Sequence, residues 1–279
     1  MRAGQPSKTA LGAAAYRAIH QTRERAAIFS DPFAVQILDD ETRAALDGIA
    51  ADPALRPMRL FIVARSRFSE EALATSVARG VRQVAVLGAG LDTFSLRNPF
   101  AKQGVRVFEV DHPATQAWKR ERLAEAGLAL PASLTFAPVD FERQSLAEGL
   151  ARAGLESNRP AFFQWLGVVP YLTSDAISAT LDFIAGVPGS AVAFDYTEPF
   201  QNHAPERRAS LMTTAERAAA RGEPWLSFFD PGDLDALLRG KGFADIEDLG
   251  FAEMVGRFSP VLAEGLQRGP GGHVIRAAH

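Results

Sequence analysis

The sequence predicts an α/β protein: a Rossmann-like, seven-stranded, mostly parallel sheet with helices on both faces. Three observations predict it. Short apolar stretches alternate with helix-spaced ones from residue 81 onward. The first of them, "RQVAVLG", runs directly into a glycine turn. The last two are joined by a loop alone, which predicts an antiparallel pair at the end of the sheet.

Residues 9–79 carry helical spacing and little β signal, so residues 1–80 are read as an N-terminal helical cap. Ser30-Asp31-Pro32 predicts a helix start, an acceptor side chain followed by proline in the first turn. Phe33, Ile37 and Leu38 then recur at helical intervals. "PMRLFIVARSRFSEEALATSVARG" continues as one or two helices and stops at Gly80, a C-cap. Residues 81–279 form the second part of one compact unit. Strands are predicted at 82–88, 105–111, 133–140, 160–167, 190–196, 243–250 and 272–279, and helices at 112–126, 144–153, 174–186 and 231–241. Residues 198–230 are an insertion that begins at the carboxyl end of the fifth strand, where ligand sites assemble. They are read as a helical lid over an acceptor pocket, completed by residues 9–75. Trp225, Phe228 and Phe229 in that lid read as core first and pocket lining second.

Composition narrows the function. A net charge of −3 leaves no footprint for nucleic acid. The absence of cysteine excludes disulfides, thiolate catalysis and cysteine-based metal sites. The five histidines are scattered, none at the i, i+4 spacing of a zinc helix. No stretch approaches the roughly 20 apolar residues of a membrane span. The basic N-terminus is interrupted by Arg17 and reads as a cap helix rather than a targeting peptide, so a cytoplasmic location is expected.

At the end of the first strand, Gly88, Ala89 and Gly90 let the backbone approach a ligand that side chains would hold away. Asp111 ends the next strand, 21 residues after Gly90, where a carboxylate can accept both hydroxyl protons of a ribose. Glu109 points to the same side by alternation and is the second candidate. Asp140-Phe141 ends the third strand, an acceptor for an adenine amino group beside an aromatic wall. Any one of these carboxylates could cap a helix. The glycine turn, Asp111 and Asp140-Phe141 at the ends of three successive strands together point to a nucleoside.

Two nucleotide classes share this layout. A dinucleotide site calls for a third glycine beside the pyrophosphate, and here Thr93 occupies that position. Asp92 would also sit badly beside an anion. It suits a positively charged ligand, and S-adenosylmethionine carries both an ammonium and a sulfonium. An NAD-dependent oxidoreductase is the competing enzyme reading, and a non-catalytic S-adenosylmethionine-binding protein the competing binding one.

With these residues in place, the chain resembles the bacterial branch of the leucine carboxyl methyltransferase family, class I S-adenosylmethionine-dependent methyltransferases. The matching stretches are "TALGAAAYRAI", "SDPFAVQIL", "VARSRF", "RQVAVLGAGLDTFSLR", "VFEVDHP", "VVPYLT" and "PWLSFFDPGDLDALLRGKGF". The resemblance implies a methyl-donor site built from Gly88, Ala89 and Gly90, with Asp111 at the ribose and Asp140-Phe141 at the adenine. His112 follows Asp111 on the cofactor side and shapes the turn into the next helix. Arg65 would bind the donor's carboxylate from the cap, with Arg67 as its exposed neighbour. Trp165 would be core or cofactor wall. The chain departs from the family in one place: many members carry an acid in "EGVLxYL", and Leu166 occupies that position here.

The implied chemistry is O-methylation of a carboxylate or hydroxyl, on a small molecule or a peptide carboxyl group, leaving S-adenosylhomocysteine. Alignment of acceptor and methyl is the enzyme's main task. A carboxylate acceptor needs no general base, whereas an alcohol or phenol benefits from one. Candidate acceptor-side residues are Tyr171, Tyr196, Glu198 and His203, with Tyr16 and His20 from the cap; each reads as structural before catalytic.

Overall fold

The computed structural model describes residues 8–140, 144–220 and 222–279. The chain opens with helices α1 (Lys8–Arg23), α2 (Asp40–Ala51) and α3 (Arg56–Ala78), then strand β1 (Gln83–Leu87). There follow α4 (Phe94–Arg97), β2 (Arg106–Asp111), α5 (Pro113–Glu125), β3 (Leu134–Pro138), α6 (Leu146–Arg152), β4 (Ala161–Trp165) and α7 (Ser174–Ala185). The C-terminal part holds β5 (Ala191–Thr197), α8 (Pro205–Ala220), α9 (Pro231–Gly240), β6 (Asp245–Gly250), α10 (Phe251–Phe258), α11 (Pro260–Ala263) and β7 (Gly272–Ala278).

The seven strands form one sheet in the order β3-β2-β1-β4-β5-β7-β6. The first five are parallel, and β7 runs antiparallel to both β5 and β6. The chain winds outward from β1 in both directions, so a crevice opens between the carboxyl ends of β1 and β4. Open α/β sheets bind ligands at that switch point.

Alternation along each strand sorts the side chains into two cores. Phe163, Trp165, Phe194 and Ile275 pack under α6, α7 and α9, with Leu150, Leu181 and Leu238. On the opposite face, Val84, Val86 and Phe162 meet Leu73 and Val77 of α3 and Phe94 of α4. The cap and the sheet therefore share a core through α3. That helix ends as expected: Gly80 has φ +102°, and the Val81 amide turns back to the carbonyl of Ser76.

Two expectations are corrected. Residues 31–38 form successive turns rather than an α-helix. The Asp31 carboxylate does accept the Phe33 amide, but it also binds Arg17 at 3.1 Å and the Thr93 hydroxyl at 2.7 Å. It works as a buried tie between cap and sheet. The connection from β6 to β7 is also more than a loop, since it holds α10 and α11. Phe251, Met254, Val255 and Phe258 recur at i, i+3, i+4 and i+7, and this apolar stripe packs against Leu60 and Val63 of α3.

Candidate functional site

The glycine turn lies at the β1–β4 switch point. Gly88 and Gly90 have φ of +66° and +43°, backbone that side chains rarely adopt. The amides of Gly88 and Ala89 both donate to the Val110 carbonyl, at 2.8 and 3.0 Å, which curls the chain over the end of β2. A Cβ at residue 88 would intrude on the Val168 side chain, and one at residue 90 would lie 3.1 Å from Ala10. The loop after β4 and the first turn of α1 thus approach the glycines from two sides.

Asp111 completes the turn. Its carboxylate accepts the Gly90 amide and the His112 amide, each at 2.7 Å. Burial pushes its carboxyl above the ordinary range, against the lowering effect of those two amides. His112 is an N-cap: its Nδ1 accepts the Ala114 amide at 3.2 Å at the start of α5. Glu109 does not take the role of second ribose ligand. It is fully buried in an ion pair with Lys119 at 2.7 Å and accepts the Ser95 hydroxyl at 2.6 Å. Lys119 also donates to the Asp92 carbonyl at 2.6 Å, so this pair braces the turn from behind.

The segment after the glycines is pinned residue by residue. Arg17 donates to the Leu91 carbonyl at 2.6 Å. The Asp92 carboxylate accepts the Phe94 amide at 2.7 Å and the Gln164 side chain at 3.3 Å. Thr93, at the position of a dinucleotide site's third glycine, spends its hydroxyl on Asp31. Only the four-residue α4 follows, so no long helix has to pack closely there.

Arg65 lies on α3 over the ends of β4 and β5. It pairs with the buried Asp195 at 2.7 Å, and Asp195 also accepts the Gly167 amide at 2.6 Å. A Cβ on Gly167 would stand 2.8 Å from the guanidinium, so glycine there lets Arg65 lie flat against the loop. The Arg65 Nε is buried with no partner among the described residues. If this fork holds a carboxylate, Arg65→Lys should weaken binding of S-adenosylhomocysteine by about tenfold, because a point charge cannot reproduce the guanidinium fork. Calorimetry checks this, and native affinity in the lysine variant would leave Arg65 a role in packing alone. Asp195 was missed from the sequence, although its place near the carboxyl end of β5 was readable.

Other expectations sort differently. Asp140 follows β3 in place, while Phe141 lies outside the described residues. Of its two readings, core or cofactor wall, Trp165 takes the first: it is 2% exposed and packs against Phe194. His20 is structural, its first reading. Its Nε2 accepts the Ile28 and Phe29 amides and its Nδ1 meets Glu24 at 3.1 Å, so it organises the end of α1. Glu24 in turn binds Arg59. Tyr16 lies on α1 within the cap, and burial raises its phenol. Tyr196 is structural as well: it is buried, hydrogen-bonded to Asp248 and stacked on His273, which bridges Asp248 and Glu198. Burial, followed by Asp248, pushes the Tyr196 phenol far up, which keeps it protonated.

Tyr171 and His203 remain. Tyr171 follows the loop that covers Gly88; burial raises its phenol, against the lowering effect of Thr9 of α1 and Trp225 of the segment 198–230. His203 lies just before α8, 5% exposed, with Nε2 unpartnered among the described residues. Burial, then the Arg207 guanidinium, holds it below the ordinary imidazole range. The segment 198–230 is helical in its middle and returns in extended form along Pro170 and Thr197. Trp225 and Phe228 cluster with Phe200 inside the lid, whereas Phe229 joins the main core.

A doubly wound sheet with an antiparallel last strand, a glycine turn at the switch point and a carboxylate at the next strand end defines a nucleoside-binding enzyme of the class I methyltransferase type. The chain belongs to the leucine carboxyl methyltransferase family, which it matches over residues 10–185. It is 31% identical to a Bacillus subtilis (strain 168) protein named "Putative S-adenosyl-L-methionine-dependent methyltransferase YktD", over 89% of this chain and 90% of that one. A Mycobacterium avium (strain 104) protein of the same description is 32% identical over 93% and 90% of the two chains. The crystal structure of a DUF574 family protein from Streptomyces avermitilis superposes with a TM-score of 0.61 at 16% identity, covering 96% of each chain, which shows the shared fold. The family's methyl donor is S-adenosylmethionine, and the glycine cradle, Asp111 and the half-satisfied Arg65 fit that molecule. Among the described residues no helix is long and apolar enough to cross a membrane.

Proposed function

We propose that the protein methylates an oxygen of a small molecule or a peptide carboxyl group, with a carboxylate as the acceptor. The observation that carries this reading is the state of the side chains that could serve as a base. His20 and Tyr196 are locked in structural networks, and burial keeps the Tyr171 phenol protonated. A carboxylate is already a nucleophile and needs none of them.

Bound S-adenosylmethionine supplies an electrophilic methyl on a sulfonium, whose C–S electron pair leaves with the sulfur. This chain's residues do the rest. The glycine turn admits the nucleoside, Asp111 accepts from the ribose hydroxyls, and Arg65 holds the carboxylate end from the cap. The lid and the first turn of α1 exclude water and align the acceptor oxygen. Asp111→Ala should weaken S-adenosylhomocysteine binding by about 1.5–3 kcal/mol, the scale of hydrogen bonds to a charged group. Calorimetry on the folded variant checks it, and unchanged affinity would remove Asp111 from the ribose.

His203 favours a second reading. A buried, unpartnered imidazole nitrogen held neutral by its surroundings could accept the proton of a hydroxyl acceptor. Incubating the pure protein with methyl-labelled donor and pools of carboxylic acids, phenols and alcohols separates the two. An ester releases its label in mild alkali and an ether keeps it. Alkali-labile product that forms equally with His203→Ala supports the carboxylate; alkali-stable product lost in that variant supports the hydroxyl.

A further inference from the structure

We propose that Asp92 binds the ammonium of the donor's amino-acid end, opposite Arg65. The inference rests on the donor reading above and assigns a residue to a charge that the site must meet. An amino-acid zwitterion needs an anion as well as a cation, and residue 166, beside Gly167, is leucine.

The other carboxylates around the turn are committed. Asp195 is held by Arg65 and the Gly167 amide. Glu109 is paired with Lys119, Glu198 with His273, and Asp111 with two backbone amides. Asp111 is assigned to the ribose, and Asp92 differs from the other three, each of which meets a basic side chain. It is half-buried, and among the described residues its carboxylate accepts only from neutral donors, the Phe94 amide and the Gln164 side chain.

Charge balance points the same way. Arg17 and Arg97 face Asp31, Glu70 and Asp92, so two guanidiniums meet three carboxylates. Asp31 and Glu70 take the direct contacts with the arginines, at 3.1 and 2.6 Å. Asp92 is the one of these three with no direct arginine contact among the described residues, and a ligand cation would meet it.

The placement fits one zwitterion. Arg65 and Ser69 are one turn apart on α3 and share a face. Ser69 donates to Gln164 at 3.2 Å, and Gln164 donates to Asp92. The guanidinium and the carboxylate therefore flank the end of β4, with the exposed backbone of Gly88 close by. The unpartnered Arg65 Nε, on a side chain nine-tenths buried, is a second sign that this corner awaits a charged group.

Calorimetry with two ligands tests the assignment. S-adenosylhomocysteine carries the amino-acid end, and 5′-methylthioadenosine keeps the nucleoside without it. Asp92→Asn should cost S-adenosylhomocysteine about tenfold or more in affinity, the scale of a charge-assisted contact, and leave 5′-methylthioadenosine unchanged. Equal losses for both ligands would mean that Asp92 only shapes the turn, and no loss for either would remove it from binding; both outcomes overturn the proposal. A measurement on the wild-type protein needs no variant to fold: S-adenosylhomocysteine must bind at least about tenfold more tightly than its desamino analogue. Equal binding of those two also overturns the assignment. A wild-type protein that binds none of these nucleosides would instead refute the donor reading itself.

Discussion

Gly88→Ala is expected to cost at least about tenfold, and up to about a thousandfold, in affinity for S-adenosylhomocysteine, with the fold retained. Two penalties add at that residue. Its φ of +66° is a conformation in which a Cβ costs about 1–2 kcal/mol. The new methyl also meets Val168, and overpacking of that kind typically costs about 1–3 kcal/mol. The overlap can be relieved only by moving the loop 166–172, which carries Gly167 under Arg65 and Tyr171 under the lid. Strain at one glycine is therefore transmitted to both ends of the donor site. The double variant Gly88→Ala/Val168→Ala removes the overlap and keeps the backbone penalty, so it should recover part of the affinity. Native affinity in the single variant would show that the turn does not approach the ligand.

The second large effect is expected at the seam between cap and lid. Thr9 of α1 donates to Glu223, and Thr9 and Trp225 both act on the Tyr171 phenol. Leu226 then donates to the Pro170 carbonyl at 2.7 Å and Phe229 to the Thr197 carbonyl at 3.1 Å. Three segments remote in sequence meet beside the glycine turn, where a Cβ on Gly90 would lie 3.1 Å from Ala10. If donor and product pass this seam, its partly exposed outer contacts are cheap to open. The chain has no cysteine, so Thr9→Cys/Glu223→Cys offers a unique pair of thiols. Bridging them with a short bis-methanethiosulfonate should slow exchange of bound S-adenosylhomocysteine at least about a hundredfold, as a closed lid does, and dithiothreitol should restore it. Exchange at the unbridged rate in the cross-linked protein would place the passage elsewhere.

Much of this architecture is legible in the sequence because its signals are local. Buried parallel strands read as short apolar runs, and all seven fall where those runs do, from "VAVL" to "HVIRAA". The glycine turn and Asp111 are likewise visible, since a strand end followed by glycines at positive φ has few other uses. The α10 stripe was equally readable, in the stretch between β6 and β7 that was read as loop alone.

What local pattern does not carry is the partner of each polar side chain. Asp31 has the sequence context of a helix cap and becomes the anchor of Arg17 and Thr93, 14 and 62 residues away. His20, Glu109 and Tyr196 look as available as His203 until the chain folds. Their bonds to Ile28, Lys119 and Asp248 show that they are structural. Arg65 is a cation on a helix face until Asp195 arrives from 130 residues further on.

By itself, then, the sequence determined the strand order along the chain, the glycine turn with its acidic partner, and the family's chemistry. All three are written in residue type and short spacing, and hydrophobic periodicity and backbone sterics act over a few residues. The tertiary structure alone decided which charges are already neutralised and which are left for a ligand. A buried charge is settled by whatever the fold brings within about 3–4 Å of it, and those neighbours come from anywhere in the chain.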